Sequence, residues 1–451
     1  MIQLILMLVF SVGLYASVDT NAPSLDEAIE ILKNKNLEIK AAALDVKSAK
    51  EDGKKVNGKN WGKLDFIQDV ARSNDAGNVF GFTLTSREAS FGNFGFSEFD
   101  ATNPNILAVQ PKDLNYPDDR NFFQSKLKYE VPLFTGFALS SYSDIMQEMS
   151  KLKSLDKKAL ISEKIYELKK SYYNMALLND AITNLTRILN NISVLEDTTQ
   201  SMIEVGYAKH IDLLEVKAKK GNVERLVAQM KSNKQLLYHY ISFLLNTQVK
   251  EITPPASDVT MPQLSDAEVL TNNVDIQKAA TGLEIRNNML QAQEAKYYPT
   301  VGAFAEVATA DDTFLGSAND HKAYTVGARL TWNIFNGLSD AADIEKARLE
   351  ELKMSSQVEL AKHGIALKLA KIRTEIKSAD NDIASLQKEL EFADAIYKNY
   401  EGRYKEKLSS MSDVIIKQSA QIEKVLQLQM AKNRRNEKIF ALEKLANRGE
   451  K

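Results

Sequence analysis

Side chains that could do chemistry are few in this sequence and lie far apart. The chain has no cysteine and four histidines, His210, His239, His321 and His363, and no glycine-rich phosphate loop or metal-ligand spacing stands near any of them. The lack of cysteine excludes disulfides, thiolate metal sites and thiol nucleophiles. We therefore predict no enzyme activity, no catalytic residue, no cofactor and no metal ligand, with each histidine solvated or bonded locally.

Two turn-like segments that carry an acidic residue are more informative, and we call residues 206–212 the first elbow and residues 407–413 the second elbow. Gly206 permits a turn in the first, and Asp212 follows it. Lys407 stands at the glycine position of the second, where Asp413 is retained. In a ring of several chains the two carboxylates would form rings of negative charge that favour cations. Capping of the helices that follow is an equally good role, and both can hold.

The elbows end two long stretches that are copies of each other. Residues 137–205 contain neither glycine nor proline. A shift of 201 residues places Phe134 on Phe335 and Gly136 on Gly337 without a gap. Each pair marks a strand end followed by a turn, so we predict strand-to-helix junctions there. Internal symmetry of this kind identifies the folding unit, which is here a strand pair that leads into a very long helical hairpin.

Periodicity supports long helices. A heptad seam over residues 365–404 lasts for about five to six heptads, which is typical of a coiled coil. At a rise of about 1.5 Å per residue such a helix extends about 100 Å. A capping box at Ser24 opens a further predicted helix through about Val56. Its pattern recurs over residues 264–295, where Asn36 falls on Asn273.

Four segments alternate apolar and polar residues, as β-strands do. They are residues 80–84, 125–134, 300–309 and 324–334. Alternation with aromatic residues near the ends is typical of a transmembrane barrel strand, and equally of a half-buried strand in a soluble sheet. Four strands cannot close a barrel, and no strand edge can face lipid. A membrane location would therefore require several chains to share one barrel.

The ends and the middle of the chain complete the predicted organisation. Residues 1–16 have the length and apolar character of a signal peptide, and a buried N-terminal segment is the alternative. We predict a first structural repeat at 17–252, a proline-containing linker at 253–263 and a second repeat at 264–451. With 58 basic and 60 acidic residues the chain has no polybasic field, so we expect no nucleic acid partner.

The junctions read Leu-Phe-Thr-Gly and Ile-Phe-Asn-Gly, and the elbows read Val-Gly-x5-Asp-Leu-Leu and Tyr-x8-Asp-Val-Ile. Together with the duplicated plan, these motifs resemble the TolC family of outer-membrane efflux proteins over essentially the whole mature chain. The resemblance implies a mainly α fold with a membrane β-barrel portion, in which each chain of a homotrimer contributes four strands to one barrel. The long coiled-coil hairpins would form a tunnel in the periplasm.

The function implied by this resemblance is a passive exit duct of a tripartite efflux pump or a type I secretion system. Its partners would be a periplasmic adaptor protein, an inner-membrane exporter of the RND, ABC or MFS type, and outer-membrane lipid. The alternative function is a soluble periplasmic adaptor or coiled-coil scaffold.

The family's closed form joins an Asp after the first elbow to an Arg near the second, with a Tyr before it. The resemblance places these at Asp212, Ser409 and Tyr404, so the arginine is replaced. A second acidic position of the family is Ile416 here. The predicted periplasmic gate and tip therefore comprise the residues Gly206, Asp212, Tyr404, Lys407, Ser409 and Asp413, with the family's salt link only partly present.

Overall fold

The computed structural model describes residues 22–256, 258–314, 316 and 320–448, so the predicted signal peptide lies outside the described residues. In chain order the helices and strands are α1 Leu25–Lys35, α2 Leu37–Gly58, β1 Lys63–Ser73, α3 Ala76–Thr85, α4 Lys112–Asn115, β2 Arg120–Phe134, α5 Ala138–Glu204, α6 His210–Leu245, α7 Asp266–Asn272, α8 Val274–Glu294, β3 Thr300–Asp311, β4 Lys322–Thr331, α9 Ser339–Lys405 and α10 Met411–Leu445. Short 3-10 turns lie at Lys59–Trp61, Phe91–Phe94, Phe96–Glu98, Ile106–Ala108 and Ala295–Tyr297.

The two longest helices, α5 and α9, have 67 residues each. Their first residues, Ala138 and Ser339, correspond under the predicted repeat, and so do their last residues, Glu204 and Lys405. The helix expected from the stretch without glycine and proline is therefore confirmed. Its continuity follows from the sequence, since no residue removes a backbone donor or favours a left-handed conformation along the way.

The opening helix is not continuous as expected, because Asn36 divides it into α1 and α2. Asn36 adopts an extended backbone with φ −61° and ψ 129°. Its Nδ2 donates to the carbonyl oxygen of Leu244 at 2.8 Å, and its Oδ1 accepts from the N–H of Ile39 at 3.0 Å. Asn273 divides α7 from α8 in the same way and donates to the carbonyl oxygen of Leu445 at 2.9 Å. Each asparagine thus starts one helix and ties it to the end of another.

Contacts group the described chain into two units, each of which draws on both repeats. The helical unit contains the residues up to Leu44, Ser154–Lys278 and the residues from Glu359 onward. It has three apolar clusters, around Leu168 in α5, around Val216 near the elbows, and around Leu369 in α9. Burial of one such aliphatic side chain stabilises the fold by about 1.5 to 3 kcal/mol.

The predicted heptad seam of α9 is buried at both ends and only half-buried in the middle. Leu369 and Ile376 are buried at one end and Tyr397 and Tyr404 at the other. Leu386, between them, is half-buried. The periodicity therefore identified the inward face of α9 correctly. How deeply each residue of that face is buried varies along the helix, because different neighbouring residues pack against its successive turns.

The sheet unit contains Asp45–Lys153 and Ala279–Val358. Its four strands are antiparallel in the order β1-β2-β3-β4. The register pairs Phe66 with Leu127, Leu127 with Val307 and Val307 with Tyr324. All four side chains lie on one face, because residues directly opposite in a sheet point to the same side.

The two faces of the sheet differ sharply in polarity. The register places apolar side chains on one face in every strand, and most of them are exposed, among them Leu64, Phe66, Val70, Leu127, Tyr129, Val307, Tyr324, Val326 and Leu330. The opposite face carries ion pairs such as Lys126 with Asp69 at 3.2 Å and Lys128 with Glu130 at 2.8 Å. The alternation predicted for three of the strands is confirmed.

The strand predicted at residues 80–84 is wrong. These residues belong to α3, and the fourth strand is β1, which precedes it in the chain. Asp75 caps α3 by accepting from the N–H of Asn78 at 3.0 Å. Phe82 stacks on Phe122 with a centroid separation of 4.2 Å. Short alternating runs do not distinguish the two structures, and here a cap and one aromatic contact favour the helix.

Within the part of the chain that the structure describes, no helix has a stretch long and apolar enough to cross a membrane. The fold is mainly helical with one small antiparallel sheet, as predicted.

Candidate functional site

The first elbow joins α5 to α6. Gly206 adopts a left-handed conformation with φ 79°, which glycine reaches without a steric penalty. Asp212 lies in the first turn of α6, where its Oδ2 accepts from the N–H of Lys209 at 2.8 Å. Asp212 therefore has the capping role that the sequence left open. It acts from within the first turn of α6, by accepting from the backbone N–H of the residue that precedes the helix.

The second elbow joins α9 to α10 with the same geometry and different residues. Lys407 is left-handed with φ 63°, which costs a residue with a side chain about 1 to 2 kcal/mol. Ser410 caps α10, and its Oγ donates to Asp413 Oδ2 at 2.6 Å. The Oγ and backbone N–H of Ser410 hold the pKa of Asp413 below its usual range.

A contact between the elbows was missed by the sequence analysis. The Nζ of Lys407 lies 3.0 Å from the centroid of the Tyr207 ring, a cation–π interaction, and we call this pair the elbow contact. Beside it, Ser412 Oγ donates to Glu215 Oε1 at 2.9 Å. These contacts join the two hairpins of one chain at the elbows.

Tyr404, the predicted partner of Asp212, is buried below the elbows. Its hydroxyl donates to Thr199 Oγ1 at 3.4 Å, a weak bond by length. Burial raises the pKa of Tyr404, and the negative charge of Asp212 adds to the rise. Among the described residues Asp212 and Tyr404 form no hydrogen bond with each other, and the gate contact that the resemblance implied stays a prediction.

Ser409 occupies the predicted arginine position and makes only a local bond, from its Oγ to the carbonyl oxygen of Ser410 at 3.4 Å. The guanidinium of Arg403 is nevertheless close to Ser409, because its Nη2 donates to the carbonyl oxygen of the preceding residue, Leu408, at 3.4 Å. Arg403 lies in the last turn of α9, six residues before the predicted arginine position. It supports the second elbow from within rather than linking two elbows.

Large apolar side chains surround the elbows and are exposed. They are Val205, Tyr207, Ile211, Leu408 and Ile416. A cluster of exposed apolar residues is typical of a surface that contacts another protein. The elbows therefore present an apolar rim around the two capping carboxylates.

At the first predicted strand-to-helix junction β2 ends at Phe134, whereas before the second β4 ends at Thr331, four residues ahead of Phe335. Gly136 and Phe137 are consecutive left-handed residues with φ 62° and 71°. Gly337 and Leu338 repeat the pair with φ 57° and 64°. Motif matching identified each glycine and missed the residue after it, because a left-handed phenylalanine or leucine has no signature in sequence.

The surroundings of the two junctions differ. A Cβ on Gly136 would lie 2.6 Å from the carbonyl oxygen of Ala295 and 3.0 Å from Cβ of Tyr298, whereas one on Gly337 would contact nothing. Phe134 packs edge-on against Phe137 at 5.2 Å, while its counterpart Phe335 is exposed. The first junction is therefore tightly packed and the second is open.

The chain was compared with known proteins in sequence and in fold. No protein-family model matches the chain, and no curated protein matches it in sequence. Solved structures do match it closely in fold. One is CusC, described in connection with folding and transmembrane channel formation, with a TM-score of 0.78 and 14% identity over 94% of this chain and 91% of that chain.

Two further matches are outer-membrane channels. MtrE of Neisseria gonorrhoeae, in an open state, has a TM-score of 0.74 and 16% identity, over 94% of this chain and 89% of that one. CmeC of Campylobacter jejuni has a TM-score of 0.76 and 12% identity, over 94% and 86% of the two chains. The protein therefore has the fold of outer-membrane channel protomers, and the resemblance to the TolC family is confirmed at the level of the fold.

Proposed function

We propose that the protein is the outer-membrane exit duct of a tripartite efflux pump or a type I secretion system, and not an enzyme. The observation that carries this proposal is the sheet, whose exposed apolar face runs across all four strands opposite a charged face. A sheet of this kind has a hydrophobic surface for lipid and a polar surface for an aqueous channel. The channel fold of the similar structures supports the same function.

The free edges of the sheet support a homotrimer. Among the described strands, β1 pairs only with β2, and β4 pairs only with β3. An unpaired edge in lipid leaves backbone groups without partners, so the ends of such a sheet must join those of other chains. Three chains of four strands would close a twelve-stranded barrel in the outer membrane, and the helical hairpins would line a tunnel in the periplasm.

The elbows are the proposed gate and docking tip. Their exposed apolar rim would bind a periplasmic adaptor, which in turn recruits an inner-membrane exporter of the RND, ABC or MFS type. The proposed gate residues are Gly206, Asp212, Tyr404, Lys407, Ser409 and Asp413. Substrates would pass through the duct passively, with selection made by the exporter upstream.

The direct test is conductance of the purified protein in planar lipid bilayers. Stable ion-conducting events are expected, and their absence from folded, detergent-purified protein would contradict the proposal. The competing function, a soluble periplasmic adaptor or coiled-coil scaffold, instead predicts that the protein fractionates without detergent. Membrane fractionation therefore separates the two functions before any electrical measurement.

The elbow contact should restrain the gate. Tyr207→Leu removes the aromatic face, and Lys407→Asn removes the ammonium group while keeping a residue that tolerates the left-handed conformation. We expect each variant to conduct more than the wild type in bilayers, because a cation–π pair contributes about 0.5 to 1 kcal/mol at an exposed site. Tyr207→Phe keeps the ring and serves as the control. Equal conductance of all four proteins would exclude the contact from gating.

Asp413 should contribute to cation preference. Asp413→Asn removes the charge but keeps an oxygen that can accept from Ser410, so the helix cap survives. We expect a smaller reversal potential in a salt gradient for the variant. Because the pKa of Asp413 is lowered, its cation preference and its capping contribution should both persist as pH falls through the usual aspartate range near about 4, and be lost only below it. Unchanged selectivity in the variant would place Asp413 outside the constriction.

A further inference from the structure

Three potential metal ligands meet at the loop end of the sheet. Glu88 follows α3, Asp311 ends β3 and His321 precedes β4. One ligand atom from each lies within 4.8 Å of the other two. No sequence spacing revealed this group, because Glu88 is remote in the chain from the other two residues.

The histidine is held in the form that binds metals. Its Nδ1 lies 3.2 Å from the carbonyl oxygen of Ala310, so we assign the ring N–H to Nδ1 and the free lone pair to Nε2. A backbone carbonyl that accepts from the second ring nitrogen is the usual outer partner of a metal-binding histidine. This contact with Ala310 does not involve either of the two carboxylates.

The carboxylates are also fixed by neighbours. Asp311 is 5% exposed, and its Oδ1 accepts from the N–H of Asp312 at 2.7 Å. Its Oδ2 lies 4.0 Å from His321 Nδ1, the nitrogen assigned as the donor to Ala310, so Nε2 is the ring atom that would bind the metal. The Oε2 of Glu88 accepts from Nη2 of Arg120. Each ligand therefore has a second interaction that limits its movement, as preorganised metal sites require.

Charge around the group favours a cation. Glu88 Oε2 pairs with Arg120, and Asp312 carries a third carboxyl group that bonds to the side chain of Asp311. Asp311 is buried at the centre of this group, whereas Glu88 and Asp312 are exposed. A buried carboxylate such as that of Asp311 is stabilised by nearby positive charge, which a bound cation would supply in addition to Arg120.

We propose that Glu88, Asp311 and His321 bind one zinc-class divalent cation in each chain, a role beyond the proposed duct. Two carboxylate oxygens and one imidazole nitrogen suit Zn²⁺, whereas Ca²⁺ and Mg²⁺ take oxygen ligands. Ligand atoms around tetrahedral zinc lie roughly 3.5 Å apart, so the side chains would close by about 1 Å on binding. Asp312 or water would take the fourth position.

Isothermal titration of chelator-treated, full-length protein with zinc chloride tests the proposal without requiring conduction. We expect one zinc per chain, with His321→Gln and Glu88→Gln each weakening the affinity at least about tenfold. His239→Gln is the matched control, because His239 lies in the helical unit. Ca²⁺ and Mg²⁺ should bind far more weakly.

Thermal unfolding keeps the result interpretable if a variant folds poorly. A ligand that binds only the folded chain raises the melting temperature, so zinc should stabilise the wild type and His239→Gln but not His321→Gln. The proposal is overturned if zinc uptake is not saturable. It is equally overturned if His321→Gln and Glu88→Gln bind zinc as well as the wild type does.

Discussion

Gly136→Ala is expected to destabilise the protein far more than Gly337→Ala, although the two glycines are equivalent in the repeat. Both are left-handed, with φ 62° and 57°, so each substitution costs about 1 kcal/mol or more through the backbone. Only at Gly136 does the new Cβ meet other atoms, the carbonyl oxygen of Ala295 at 2.6 Å and Cβ of Tyr298 at 3.0 Å. Overpacking of this kind costs about 1 to 3 kcal/mol more.

Thermal unfolding followed by circular dichroism measures this difference. Gly337→Ala should melt a few degrees below the wild type, and Gly136→Ala should melt lower still or yield no folded protein. Gly364→Ala lies in the interior of α9, where a Cβ meets nothing. It is a control that should raise the melting temperature, because alanine stabilises a helix relative to glycine. Equal melting of the Gly136 and Gly337 variants would show that the close approach to Ala295 is relieved at no cost.

Asn36→Ala and Asn273→Ala are expected to produce the other large loss of stability. Both side chains are buried, and each bridges a helix start to the carbonyl end of a distant helix. Removing the amide leaves a buried carbonyl oxygen and a helix N–H without partners. Each unsatisfied buried group costs about 1 to 3 kcal/mol, so both variants should melt well below the wild type.

The matched control is Asn34→Ala. Asn34 lies on α1 and donates to the carbonyl oxygen of Glu30 at an exposed position, so its loss should change stability by no more than about 0.5 kcal/mol. The two buried variants should behave alike, because their hydrogen bonds are the same. If Asn36→Ala or Asn273→Ala melts like Asn34→Ala, water replaces the amide and the bridge is not structural.

Corrections to the sequence predictions share one cause. The run Phe80, Phe82 and Leu84 alternates as a strand would, yet it is helical because Asp75 caps it and Phe82 stacks on Phe122. The helix expected from Ser24 is divided at Asn36 because the amide bonds to Leu244, which is remote in sequence. In both cases a contact outside the segment overrode the local pattern.

Several features were determined by the sequence alone. The bounds of α5 and α9, the left-handed turns at Gly136, Gly206 and Gly337, and the apolar faces of three strands depend on residues that are neighbours in the chain. Local steric preference and periodicity are encoded over a few residues. The duplicated plan could be recognised for the same reason, since it repeats those local signals in the same order.

Other features were decided only by the tertiary structure. The elbow contact between Lys407 and Tyr207, the close approach of Gly136 to Ala295, and the meeting of Glu88 with His321 each join segments far apart in sequence. Such distances depend on how the helices and strands pack, and no periodicity or motif records them. The chain alone therefore located the elbows and junctions, while the packing determined which of their residues touch and where a cation could bind.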